Sequence, residues 1–188
     1  MFQKFLSVMA LLGALAACAP GGTGQSDPRP DILRDYQLTG LNFAAMADLT
    51  ISEDNFIYPH ADIVWHGDVQ GDRIAQIAAI FQEAAARVQA DRSDITPDTK
   101  KVVVDVTLIR FHGVTRRAEF TTGGVHHIVF DLTVRDAATD AVIEPTRRVI
   151  ANLEAWGGNI NAEIDGQGVT QKIRVTDFLA KTLAEQLR

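Results

Sequence analysis

The chain has 188 residues, 46% of them hydrophobic, and carries 18 Lys and Arg against 24 Asp and Glu for a net charge of −6. That acidic balance, with no block of clustered Lys and Arg to neutralise phosphates, excludes nucleic acid as a partner. The single cysteine, Cys18, rules out a disulfide framework within one chain.

The N-terminus reads as a bacterial lipoprotein export signal. Lys4 supplies the charged start, an apolar run extends from Phe5 to Ala17, and Leu15-Ala16-Ala17-Cys18 has the small-residue pattern cut by lipoprotein signal peptidase. Crossing a bilayer takes about 20 apolar residues, so this run of 13 suits a signal segment and not a retained helix. A cleaved signal without lipid would need no cysteine beside the small pair, and here Cys18 follows directly. The expected organisation is a signal peptide over 1–17, an acylated Cys18 leading a Gly/Pro/Ser tether over 18–34, and one periplasmic domain over 35–188. Loss of Lys4 with the signal leaves a mature chain of net charge −7. At about 0.8 kcal/mol per buried methylene, two or three acyl chains hold such a protein to a membrane almost permanently. Ala19 follows the cysteine where an Asp would retain the protein in the inner membrane; by resemblance to that sorting rule, the address is the periplasmic face of the outer membrane.

Tyr36 to Phe43 alternates apolar and polar residues as a strand does, Asp48 to Ser52 continues or re-forms it, and a short strand follows at Asp62 to Trp65. Asp72 then precedes Ile74, Ile77, Ala78, Phe81, Ala84, Ala85 and Val88, spaced as one face of a helix reaching Ala90 with Asp72 as its N-cap. Pro97 lies in the polar stretch that ends it.

Three strands come next. Val102, Val104, Val106 and Leu108 alternate with Asp105 and Thr107; Ile128, Phe130, Leu132 and Val134 with His127, Asp131, Thr133 and Arg135; Val149, Ala151, Leu153 and Ala155 with Asn152 and Glu154. One buried and one wet face on each strand predicts an antiparallel meander, with Asp140 tolerating a left-handed turn conformation. A last helix is predicted from Thr170 to Gln186, packing through Val175, Phe178, Leu179, Thr182 and Leu183, with Lys172, Arg174, Lys181 and Glu185 outside. The fold class expected is α+β: a two-layer sandwich of a curved, mainly antiparallel sheet of about four strands with two helices on one face, in the order β-α-β-β-β-α.

The block Asp62-Ile-Val-Trp65-His-Gly-Asp68-Val-Gln-Gly-Asp72-Arg73, followed by the Ala-rich helix and the meander, resembles small uncharacterised lipoproteins of alphaproteobacteria, a family of unknown function. The resemblance implies a lipid-anchored domain and brings no activity and no catalytic residues. The element order also looks like that of auxiliary lipoproteins of lipid-transport systems and of activators of penicillin-binding proteins, a likeness of fold alone.

No Gly-x-x-x-x-Gly-Lys-Ser/Thr, Gly-x-Ser-x-Gly, His-Glu-x-x-His or EF-hand pattern occurs in the chain. His126 and His127 are adjacent on a strand, so they point to opposite faces and do not both reach one ion; His112 could approach one of them, and two His fall one ligand short of a zinc site. No metal and no cofactor is therefore expected. The binding candidates are Trp65, Asp68, Asp72 and Arg73 around the helix start, Arg116 and Arg117 at a hairpin tip, and Ile160 and Ile164 in a long loop. Each has a structural alternative: a capped turn with Arg73 paired to Asp68 or Asp72 and Trp65 in the core, solvated turn arginines, and a loop covering the sheet edge. The function expected is a non-catalytic accessory or scaffold of an envelope complex, attached to the membrane through Cys18 and to an envelope protein partner. A ligand-binding or lipid-transport auxiliary lipoprotein is the alternative, and an envelope hydrolase without a recognisable nucleophile-base pair the second alternative.

Overall fold

Thirteen residues of alternating burial, Lys100–His112, form the strand around which the fold is organised. The computed structural model describes residues 35–91 and 95–188, so Cys18, the signal segment and the tether lie outside the described residues. In chain order the elements are β1 (Tyr36–Ala45), β2 (Ile51–Ser52), β3 (Ile63–Val64), α1 (Arg73–Ala90), β4 (Lys100–His112), α2 (Arg116–Glu119), β5 (Gly124–Asp136), β6 (Val142–Ala155), α3 (Gly158–Gly166) and α4 (Gln171–Leu187).

The meander is as the alternation requires: β4 pairs antiparallel with β5, and β5 with β6. On the other side of β4 the sheet departs from expectation. β1 runs parallel to β4, from Tyr36 beside Lys100 to Ala45 beside Leu108, and β3 continues that edge in parallel with Ile63 beside Phe111. β2 adds parallel to β3. Among the described residues the sheet is thus a mixed, open one of six strands, where about four in a mainly antiparallel arrangement were expected. The long connection through α1 explains the direction, since a parallel neighbour needs a crossover and a helix supplies it.

α1 starts where its cap predicts, the Asp72 side chain accepting from Ala75 N–H at 3.0 Å. It buries Ile77, Ile80, Phe81, Ala84 and Ala85, the two alanines giving a flat stripe that lies close on its neighbours. α4 is capped by Thr170 and buries Val175, Leu179, Thr182, Leu183 and Leu187. These faces and the inward residues of β4, β5 and β6 form one core, in which Phe81 meets Phe130 edge-on at 5.3 Å. With no disulfide available, this burial carries the stability of the domain, at roughly 25 cal/mol per Å² of apolar surface.

Among the described residues there are four helices where two were expected. The presumed hairpin tip at Arg116 and Arg117 is the first turn of α2, capped by Thr115, and the presumed loop after Trp156 contains α3. Both are too short to show a helical repeat in sequence. Asp140 does take the left-handed conformation, at φ 60°.

Candidate functional site

The Trp65–Arg73 block folds as a hub in which Trp65, Asp68, Asp72 and Arg73 find hydrogen-bond partners within the chain, while the buried His66 Nε2 has none among the described residues. Trp65 is fully buried and stands edge-on to Phe111 at 5.3 Å. Its indole N–H donates to Asp68 Oδ2 at 2.8 Å, and Lys172 Nζ, from α4, donates to Asp68 Oδ1 at 2.8 Å. Burial disfavours the Asp68 carboxylate, yet the bonds from Lys172 and Trp65 outweigh it and hold its pKa below the usual range. Arg73 is also buried, and its partner is neither Asp68 nor Asp72 through their carboxylates. It forms a two-pronged pair with Glu53, Nε to Oε1 at 2.7 Å and Nη2 to Oε2 at 2.6 Å, and donates from Nη1 to Gln76 Oε1 and the Val69 carbonyl. Asp72 is committed to its cap. The four candidates are therefore brought together, as a clasp joining the 53-loop, the end of β3, α1 and α4.

The arginines of α2 separate. Arg116 is exposed and contacts the buried Glu119 at 3.4 Å, while the Arg117 N–H donates to Asn55 Oδ1 at 2.8 Å. Glu119 faces Arg174 of α4 at 3.6 Å, and Arg174 also donates to Asn161 Oδ1 at 2.8 Å. Arg174 was expected outside; its aliphatic stem lets the guanidinium reach in and tie α2, α3 and α4 together. Next to this cluster lies His126, whose Nδ1 accepts from the Val114 N–H at 3.4 Å. Burial, then the charges of Arg174 and His112, push His126 down to about 4, so the ring is neutral at ordinary pH. Burial pushes Glu119 up despite Arg116 and Arg174.

The surface with free binding capacity is elsewhere, at the end of the sheet where β4 stops and β5 begins. Phe56, Ile57 and Tyr58 project from the loop between β2 and β3, Val125 from β5, and Trp156 and Ile160 from the β6–α3 corner; all six are exposed, Phe56 by 62% and Trp156 by 52%. Tyr58 lies over His112, ring centres 4.6 Å apart, and His112 Nε2 sits 2.9 Å from the Pro59 carbonyl, which fixes the loop against β4. An open groove of about 540 Å³ runs between Ile57, Tyr58, Val125, His127 and Asn152. A second, of about 700 Å³, shares Val125 and Asn152 with it and continues to Trp156 and Ile160. Contiguous exposed apolar surface of this kind marks interaction sites. Of the predicted residues only Ile160 belongs to this rim; Ile164 is half-buried. The run Phe56-Ile57-Tyr58 escaped the sequence reading, although three large apolar residues between Asn55 and Pro59, outside any periodic segment, were the available clue.

Among the described residues, no group of three or more His, Cys, Asp or Glu side chains is placed to hold a metal ion. No helix among them is long and apolar enough to cross a membrane.

A model of a family of unknown function, DUF6778, matches residues 36–188. None of the curated proteins compared with the chain matches it. Solved structures with a similar course include a Xanthomonas campestris protein of family DUF330, at 11% identity and TM-score 0.47, covering 85% of this chain and 87% of that one. A PelC variant dodecamer from Paraburkholderia phytofirmans gives 13% identity and TM-score 0.36, with 82% and 87% covered. A Caulobacter crescentus CB15 protein described provisionally as a lipoprotein gives 11% and 0.32, with 78% and 86% covered.

Proposed function

The chain belongs to DUF6778, a family of unknown function, and we propose that it is a lipid-anchored envelope protein, held at the periplasmic face of the outer membrane by acylated Cys18, whose domain is a non-catalytic accessory of an envelope complex. The observation that carries this reading is the position of the apolar rim. Residues 18–34 join the domain at the start of β1, where Tyr36 lies beside Lys100. The rim surrounds the other end of β4, at His112, and 13 residues at about 3.3 Å each separate the two ends by roughly 40 Å. A protein tethered at one end of its sheet and apolar at the other is suited to engage a partner remote from its own anchor. The side chains of Trp65, Asp68 and Arg73 are consumed in internal bonds, which supports a structural and not a catalytic use of those three.

A second reading, a ligand-binding auxiliary lipoprotein, is favoured by the groove of about 540 Å³ and its Tyr58, His127 and Asn152 lining. One experiment separates the two. The full-length protein, with a photo-crosslinking amino acid at Ile160, is irradiated in intact cells beside a Cys18→Ser version and a Trp156→Ala version. Under the accessory reading the native chain fractionates with the outer membrane and gives one defined protein adduct, which both variants lose. A chain that remains in the soluble periplasm, or an acyl lipid or small molecule copurifying with no protein adduct, would overturn it.

A further inference from the structure

β6 is an edge strand: among the described residues it pairs only with β5. An uncovered edge invites pairing with another strand, and the sequence of β6 specifies which. Its central residues alternate cleanly, with Arg148, Ile150, Asn152 and Glu154 exposed on the outer face and Val149, Ala151 and Leu153 directed towards the helices. If a second copy lays its own β6 antiparallel against the first, only registers centred on a residue keep outer side chains opposite outer ones. Centring on Arg147 or Arg148 sets like arginines face to face, and centring on Val149 opposes Glu144 to Glu154. Centring on Ile150 or Asn152 pairs no charges. Centring on Ala151 places Arg148 opposite Glu154 twice, Ile150 opposite Asn152 twice, and Val149 opposite Leu153 on the inner side.

The two ends agree with that register. Arg147 falls opposite Ala155, the last residue of β6, and the pairing stops just short of Pro145, which has no N–H to give and is exposed on the edge. The centre, Ala151, carries only a methyl group, so the strands can close without a clash at the dyad. Arg148 meets Asp131 of the neighbouring β5 across the sheet at 3.0 Å, which keeps its guanidinium on the outer face, the face that Glu154 of a second copy would share. No ion pair to Glu154 occurs among the described residues.

We infer that β6 is a homodimerisation edge: two copies join by antiparallel β6 pairing about Ala151, extending the sheet across a two-fold axis and linking Arg148 of each copy to Glu154 of the other. The inference does not rest on the anchor; the paired segment shares Asn152 and Glu154 with the lining of the grooves beside the apolar rim.

The test uses the full chain purified in detergent micelles. The native chain sediments as a dimer. Glu154→Arg, which sets four like charges along the seam, weakens dimerisation about tenfold or more, and the exchange Arg148→Glu with Glu154→Arg restores it. For register, Ile150→Cys with Asn152→Cys forms intermolecular disulfides under mild oxidation faster than Asn152→Cys alone, whose two cysteines lie diagonally across the seam, because directly opposed residues are within disulfide reach and diagonal ones are not; the parent chain, with Cys18 as its sole cysteine, is the control. A monomer at all concentrations overturns the inference. So does a dimer indifferent to Glu154→Arg, equal trapping by the two cysteine variants, or capture of a different protein in place of a second copy at Ile150 in cells.

Discussion

The indole N–H of Trp65 donates to the carboxylate of Asp68 three residues on, at 2.8 Å, and that same carboxylate receives Lys172 from the far end of the chain. Trp65 is wholly buried, so its N–H has no water to fall back on. Asp68→Ala should destabilise the domain by about 2–3 kcal/mol, the cost of an orphaned buried donor. Lys172→Ala, which removes a half-exposed partner, should cost less than about 1 kcal/mol. Urea unfolding followed by tryptophan fluorescence measures both.

Gly67 lies between those two residues, and a Cβ there would overlap the Trp65 ring. Gly67→Ala should cost about 1–3 kcal/mol through displacement of the ring or the turn. The expected mark in near-ultraviolet circular dichroism is a weakened Trp65 band with the far-ultraviolet spectrum unchanged.

Arg73 is buried with Glu53 as its carboxylate partner. Glu53→Ala leaves that guanidinium with carbonyl and amide acceptors alone and should cost about 2 kcal/mol. Because Glu53 also pins the loop that carries Phe56, Ile57 and Tyr58, hydrogen exchange should accelerate over residues 53–58 while the interior of α1 stays protected.

His126 makes stability depend on pH. Burial, with Arg174 and His112, lowers its pKa in the folded state to about 4 from an ordinary 6.5. Between those values the unfolded chain binds more protons than the folded one, so this residue's contribution rises with pH across that window and is lost on acidification, by on the order of 3 kcal/mol. Glu119 runs the other way: burial raises its pKa, so its ionisation weakens the fold as pH climbs above the usual Glu range. His126→Asn, whose Oδ1 can still accept from Val114, should remove the acid-labile component and leave the opposite Glu119 slope visible. Thermal melts of both proteins from pH 4 to 7 check this.

The rim should separate from the core in mutational cost. Trp156→Ala and Ile160→Asp remove exposed side chains and should change stability by less than about 0.5 kcal/mol. Phe111→Ala, at a fully buried position, should cost about 3–5 kcal/mol.

The elements that could be read in advance are those whose cause is local. Asp72 caps the helix it precedes because cap and helix are neighbours in sequence, and the inward residues of β4, β5 and β6 follow from a two-residue repeat. The candidate site was legible only at its margin, in Ile160. Phe56, Ile57 and Tyr58 join Val125 and Trp156 in one surface only because Tyr58 is held over His112, 54 positions away.

What sequence alone determined is therefore the α+β class, the antiparallel meander and the Asp72 cap of α1: features set by short-range periodicity, chain chirality and nearest-neighbour hydrogen bonding. Only the tertiary structure decided that β1 lies parallel to β4, that Arg73 takes Glu53 and not an adjacent aspartate, that Arg174 turns inward, and that β6 is left as an open edge. Those outcomes depend on which distant groups arrive at the same place once the core closes, and neither strand alternation nor charge pattern encodes the identity or direction of a partner tens of residues away.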